Sequence, residues 1–298
     1  MIEEVCQVSR IFLFPGQGSQ KKGMGADVFP RFPEETATAD AILGYSVAQQ
    51  CIEDPGDKLS QTEYTQPLLF TVCALMYLDK VRETGTRPDL VAGHSVGEFA
   101  ALFAAGVFDF ATGLRLVQKR GELMSRAIGG GMAAVVGMSP DEIQGVLQAA
   151  GFTTIDVANL NSPKQSVISG LKDDVLAVQS AFEAAGAKKF VPLDVSGAFH
   201  SRYMRPSQAE FESFARSFTF AAPSIPVIAN VTARPYQADE IVENMTKQIT
   251  SPVRWVESML YALQQPEPEF EEVGPGNVLT ALMRQIKSAA KESSKGAS

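Results

Sequence analysis

The chain has 298 residues, enough for one large domain or two unequal ones and for a substantial hydrophobic core. Apolar residues make up 45% and charged residues 20%, which excludes a disordered, collagen-like or low-complexity chain. Lys and Arg number 26 against 34 Asp and Glu, and the resulting net charge of −8 argues against nucleic acid or an anionic membrane surface as a partner.

The N-terminus, Met1 to Cys6, opens acidic and lacks the basic and long apolar regions of a secretory signal, so a cytoplasmic protein is expected. The longest apolar run, residues 99–108, is far shorter than the ~20 residues needed to cross a bilayer, so no membrane segment is expected. Cys6, Cys51 and Cys73 are odd in number and show no CxxC spacing, which speaks against a disulfide framework or a zinc site. Cys51 and Cys73 read as small buried apolar residues.

A short apolar strand over residues 11–14 runs into Pro15-Gly16-Gln17-Gly18-Ser19-Gln20, a loop able to present bare backbone N–H groups. A helical region follows through about Lys80. Residues 90–92 form a second buried strand, then Gly93-His94-Ser95-Val96-Gly97 and a helix over residues 98–105. Repeated strand, turn and helix units point to an α/β architecture with a parallel sheet.

From 131 to 197 the pattern changes to strand 132–136, helix 141–150, strand 154–158, strand 166–169, helix 173–185 and strand 190–193. Ser139, Pro140 and Glu142 form a capping-box signature for the first of these helices, and Gly186 closes the second. The order βαββαβ predicts a small ferredoxin-like domain over 131–197, inserted into a large domain of residues 1–130 and 198–298. The large domain resumes with strand 227–230, a helix around 243–250, strand 270–273 and a last helix, and residues 287–298 read as a frayed tail.

Gly93-His94-Ser95-Val96-Gly97 fits the G-x-S-x-G nucleophile elbow, a strained strand-to-helix turn that exposes a serine hydroxyl. Its place between a buried strand and a helix supports that reading and sets the Val96 N–H beside the hydroxyl. An ordinary Gly-rich turn with a serine cap is the competing reading. A serine nucleophile needs a base, and the chain has only two histidines. His94 adjoins Ser95, and neighbouring side chains in a sharp turn point apart. His200 lies where the chain leaves the inserted segment, and from the residues alone it is equally a structural histidine. Around residues 112–126 the helical wheel places Arg120 in the middle of an apolar arc formed by Leu116, Val117, Leu123 and Met124. A buried arginine requires an anion, either an internal carboxylate or a ligand carboxylate held bidentately.

Phe14-Pro15-Gly16-Gln17-Gly18-Ser19-Gln20, Gly93 to Glu98, Arg120-Gly121, Asn159 to Pro163, Gly197 to Ser201 and Gly274-Pro275-Gly276 resemble, in order and spacing, the malonyl-CoA:acyl carrier protein transacylases. The likeness runs from about Ile11 to Ile286, and within the family it is greatest to stand-alone acyltransferases serving polyketide synthases; the fatty-acid-synthesis enzyme is the alternative.

The resemblance implies an α/β-hydrolase-like large domain with an inserted ferredoxin-like one and the active site between them. It implies a malonyl-serine ester on Ser95, His200 as base oriented by the backbone carbonyl of Gln248, and an oxyanion hole of the Gln17 and Val96 N–H groups. Arg120 would clamp the malonyl carboxylate, and Phe199 would crowd an α-methyl group. Gln66, Asn159 and Asn161 match positions near the acyl site but read equally as turn or capping amides. Malonyl-CoA and an acyl carrier protein are the implied partners, and no metal or other cofactor is implied. Lys172, Lys188 and Lys189 form a candidate basic patch for an acidic carrier, or a solvated lysine face. An editing hydrolase of the same fold is the rival enzyme, which Arg120 disfavours because a simple acyl chain offers it no carboxylate. A docking module without turnover is the non-enzyme rival.

Overall fold

Among residues 8–296, which the computed structural model describes, eight strands form two separate sheets. The N-terminal segment with Cys6 lies outside the described residues. The first sheet starts from β1 (Ser9–Phe14), which pairs in parallel with β2 (Leu90–Gly93) on one side and with β8 (Pro268–Glu272) on the other. A short β7 (Val227–Ile228) extends it in parallel beyond β2.

Alternation along β1 divides the interior. Phe12 and Phe14 enter one core, Ile11 and Leu13 the other, as a period of two requires for a sheet covered on both faces. The first core is walled by α1 (Pro33–Leu43), α2 (Val47–Glu53), α3 (Thr62–Thr84), α4 (Gly97–Ala104) and α5 (Phe110–Ser125). Cys51 and Cys73 are buried there, and burial pushes both thiols up, as expected of inert small residues.

The second sheet comprises β3 (Gly130–Val136), β4 (Ile155–Ser162), β5 (Gln165–Leu171) and β6 (Lys189–Pro192) in the order β4-β5-β3-β6, every pair antiparallel. With α6 (Pro140–Ala149) after β3 and α7 (Lys172–Ala177) and α8 (Gln179–Ala184) after β5, this is the ferredoxin-like βαββαβ arrangement. Its own core includes Val135, Ile143, Leu147, Ile168 and Phe182. The capping box is present: the Glu142 N–H donates to Ser139 Oγ at 3.3 Å and the Ser139 N–H to the Glu142 carboxylate at 2.6 Å.

Three local expectations are corrected. The helix foreseen over 173–185 is two helices with a turn at Val178, whose carbonyl accepts from both Ala181 and Phe182; sharing that acceptor tightens the turn and breaks the α ladder. The strand foreseen over 227–230 pairs only at Val227 and Ile228, because the Asn230 N–H goes to Glu98 instead of a neighbouring strand. The tail foreseen at 287–298 is helical to Gly296, within a final helix that begins at Val278 and docks Leu279, Leu282, Met283 and Ile286 into the second core.

The chain re-enters the large sheet's surroundings through α9 (Arg205–Ala215), α10 (Ile241–Lys247) and α11 (Trp255–Ala262), followed by the last helix, α12 (Val278–Gly296). β4 is tied to the large domain by a backbone bridge, with Val253 N–H donating to Ala158 O and Leu160 N–H to Val253 O, both at 2.9 Å. Among the described residues no helix is long and apolar enough to cross a membrane.

The strand-to-helix crossing at Gly93 and Gly97 tolerates no side chain. A Cβ on Gly93 would lie 2.0 Å from the Gly97 carbonyl carbon, and one on Gly97 would lie 2.2 Å from the Phe14 carbonyl oxygen. Backbone cannot yield as a side-chain tip can, so Gly97→Ala is expected to cost about 1–3 kcal/mol or more, read as a lower denaturant midpoint. A midpoint unchanged from the parent protein would show that this contact is not tight.

Candidate active site

Register places the site. Phe14 lies opposite Gly93, so the loops leaving β1 and β2 emerge side by side at the carboxyl ends of the parallel strands, where open α/β sheets bind ligands. The His94 N–H donates to Phe14 O at 2.9 Å and locks the two loops together. Gln17 and Val96 therefore line one small cavity of about 100 Å³ with Ser95. Ser95 sits at φ +52, the left-handed conformation that the elbow imposes on a non-glycine residue at a cost of about 1–3 kcal/mol.

His200 arrives from the other side of the cleft, itself at φ +57. Its Nδ1 lies 2.8 Å from the Gln248 carbonyl oxygen, which can only accept, so Nδ1 carries the proton and donates. The unprotonated Nε2 then faces Ser95 Oγ at 2.7 Å. Burial, reinforced by the Arg120 charge, lowers the His200 pKa to about 3, so the imidazole is neutral. His94 lines the same cavity but is engaged elsewhere: its Nε2 is 2.8 Å from Asn161 Oδ1, its ring rests against Trp255, and burial lowers its pKa.

Arg120 is fully buried on α5 and opens onto the same cavity. Nη1 donates to Gln66 Oε1 at 2.5 Å, and Nη2 donates to Gln248 Oε1 at 2.9 Å and to Ser95 Oγ at 3.1 Å. Its Nε–H has no partner among the described residues, and none of their carboxylates comes within ion-pair distance of it. Desolvation lowers the Arg120 pKa to about 10 against the opposing field of Glu98, leaving the guanidinium charged at neutral pH.

Eight of the ten residues proposed from sequence line this cavity: Ser95, His200, Arg120, Gln66, Gln17, Val96, Phe199 and Asn159. Gln248 stands directly behind it, holding His200 through its carbonyl and Arg120 through its side chain. Asn161 does not reach the cavity wall; it fixes His94. The candidate lysine patch is not one patch. The Lys172 N–H bonds to Gly129 O beside the start of β3, while Lys189 pairs with Val136 at its end, about 20 Å away at ~3.3 Å per residue.

Sequence reading missed Glu98, Asn230 and Tyr236, which form a buried cluster under the nucleophile turn. A carboxylate opening the otherwise apolar run 99–105 was the available signal for Glu98. Asn230 carries no local signal, because Gly93, Ser95 and Glu98, the partners that tie it to the turn, lie more than 130 residues away.

A family model described as "Acyl transferase domain" matches residues 11–297. The chain is 53% identical over 283 residues, covering 95% of this chain and 98% of the relative, to the "Polyketide biosynthesis malonyl CoA-acyl carrier protein transacylase BaeC" of Bacillus velezensis. It is 40% identical, covering 92% of each, to the "Malonyl CoA-acyl carrier protein transacylase" of Escherichia coli. Among solved structures, a malonyl CoA-acyl carrier protein transacylase from Burkholderia pseudomallei superposes with a TM-score of 0.92 at 47% identity, covering 94% of this chain and 98% of that one. A malonyl-transacylase in complex with its type II polyketide synthase acyl-carrier protein superposes with a TM-score of 0.89 at 35% identity, covering 93% of each chain.

The lowered His200 pKa has a kinetic signature. Labelling of Ser95 by a fluorophosphonate should continue from pH 8 down to pH 5 with no inflection near 6.5, because His200 stays unprotonated until about 3. A histidine titrating at ~6.5 would instead slow labelling about thirtyfold by pH 5. That loss would show the imidazole to be solvated.

Proposed function

The chain belongs to the acyl transferase domain family, and we propose that it moves a malonyl group from malonyl-CoA to the phosphopantetheine thiol of an acyl carrier protein, supplying extender units to a polyketide synthase. The observation that carries this reading is Arg120: a buried, charged guanidinium at a small cavity, bonded only to neutral groups, with an N–H to spare. Such a group calls for an anionic ligand, and the free carboxylate of a malonyl thioester supplies one beside the nucleophile.

Seated on Arg120, the malonyl group presents its thioester carbonyl to Ser95. Ser95 Oγ attacks the carbonyl carbon as its proton passes to His200 Nε2, and the tetrahedral oxyanion is held by the backbone N–H groups of Gln17 and Val96. Collapse expels the CoA sulfur, which takes the proton from His200 and leaves a malonyl ester on Ser95. The carrier's pantetheine thiol then gives its proton to His200 and attacks the ester, and collapse releases Ser95 Oγ, which takes that proton back from His200. The Gln248 carbonyl holds the Nδ1 proton throughout, so one tautomer serves both half-reactions. No cofactor is required, because serine and histidine supply the covalent and proton-transfer chemistry. A CoA thioester as donor assigns the reaction to the cytoplasm.

Charge couples binding to catalysis. The Arg120 cation is part of what depresses His200. A bound carboxylate cancels that charge, so the imidazole becomes a stronger base when an acid-bearing acyl group is present. Phe199, buried against the cavity, leaves little room for an α-methyl branch, a discrimination of about 1–3 kcal/mol against methylmalonyl.

Intact-protein mass spectrometry tests the reading. Malonyl-CoA should give a malonyl adduct that is absent in Ser95→Ala and that moves to an added phosphopantetheinylated carrier. Free malonate accumulating with or without carrier would favour a hydrolase. Arg120→Ala should lower kcat/KM for malonyl-CoA by roughly 10–100-fold while sparing or raising acetyl transfer, the worth of a charge-assisted carboxylate contact. Unchanged selectivity would remove the clamp.

A further inference from the structure

Beneath the nucleophile turn lies a set of buried polar groups that neither bind the acyl group nor move a proton. Asn230 is 1% exposed and sets both polar ends of its side-chain amide against the turn. Its Oδ1 accepts the Ser95 N–H at 2.8 Å, and its Nδ2 donates to the Gly93 carbonyl at 2.7 Å. Those are the two backbone groups flanking the residue that precedes the nucleophile, so one planar amide spans the bend. The amide is itself fixed from behind. The Asn230 N–H donates to Glu98 Oε2 at 2.5 Å, and the Tyr236 hydroxyl donates to Glu98 Oε1 at 2.5 Å. Gln248 closes the other side, its Nε2 donating to the Ser95 carbonyl at 3.0 Å and approaching Asn230 Oδ1 at 3.5 Å.

From this geometry we infer that Asn230, anchored by the Glu98 carboxylate, is a positioning residue that clamps the Gly93–Ser95 turn and so keeps the Ser95 hydroxyl aligned with His200. The inference rests on the reading of Ser95 as the acylated residue. Two features make the clamp necessary. Ser95 is held at φ +52, a conformation it does not prefer, and its N–H is turned inward, away from the helix that follows. An isolated turn would relax. A carboxylate is also a rare occupant of a fully buried site unless its oxygens are met, and here both oxygens are spent on holding the clamp and its tyrosine neighbour. Arg120 donates its hydrogen bonds to Gln66, Gln248 and Ser95 and none to Asn230, so Asn230 acts directly on the nucleophile turn and meets the guanidinium only through Ser95 and Gln248.

The test separates alignment from binding. Asn230→Ala in the full chain is expected to slow fluorophosphonate labelling of Ser95, and kcat for malonyl transfer, about 10–100-fold, while KM for malonyl-CoA stays within about twofold. Asn230→Asp keeps the acceptor for the Ser95 N–H but sets an oxygen against the Gly93 carbonyl, and it should show the same split. Glu98→Leu and Glu98→Gln provide a second pair that leaves Asn230 in place. Gln retains an oxygen for the Asn230 N–H and should lose distinctly less labelling rate than Leu. The clamp is refuted by Asn230→Ala labelling and turning over at the parent rate, by losses that only track a fall in the folded fraction, or by equal effects of Gln and Leu at Glu98. A parent protein that accepts the fluorophosphonate but no malonyl group would sink the malonyl reading, while the labelling rates alone would still decide the clamp.

Discussion

A single buried cation organises this molecule. Taking the Arg120 guanidinium out of water without a matching carboxylate is costly, and the surrounding structure answers with neutral acceptors from three separate parts of the chain: Gln66 on α3, Ser95 at the turn and Gln248 after α10. The Phe99 ring lies 5.7 Å from the guanidinium carbon and adds a cation–π contact. The charge is thereby tolerated but not neutralised. Burial, reinforced by that residual field, keeps His200 unprotonated.

The consequences extend to Glu98. Desolvation raises its pKa to about 7, while hydrogen bonds from Tyr236 and Asn230 and the field of Arg120 pull the other way. Glu98 and Arg120 belong to the same buried polar region without forming a direct ion pair. The carboxylate is engaged by the groups that hold the turn, and the guanidinium stays open to a ligand.

Two domains meet over this centre through specific ties. The backbone bridge between Val253 and β4 carries Asn159 to the cavity wall. Two residues beyond His200, the Arg202 guanidinium and backbone N–H both engage Asp156 on the same strand, with the N–H at 2.9 Å and Nε at 3.0 Å. One contact lies two residues after His200 and the other five residues after Gln248, whose carbonyl holds the His200 ring, so the small sheet is fastened beside that histidine. Exposed ion pairs contribute little to stability on their own, but this one fixes the segment that follows His200 and so restricts its position.

Periodicity and local signals in the sequence determined the α/β plan, the βαββαβ insert, the capping box at Ser139 and the inward face of α5 with Arg120 on it, because each depends on residues within a few turns of one another. Resemblance of short motifs carried Ser95, His200, Gln17, Gln66 and the Gln248 carbonyl to one place. The tertiary structure alone decided how the charges are met. Asn230 contacts Ser95 across 135 residues and Glu98 across 132, and no periodicity encodes such a pairing. The same long-range bond takes Asn230 out of the strand that its apolar neighbours suggest. Lys172 and Lys189, close in a linear reading, end up at opposite ends of β3 because antiparallel pairing sets their positions along that strand. Local pattern fixes which face a side chain presents; which distant group it meets depends on how the strands and helices close around a buried charge.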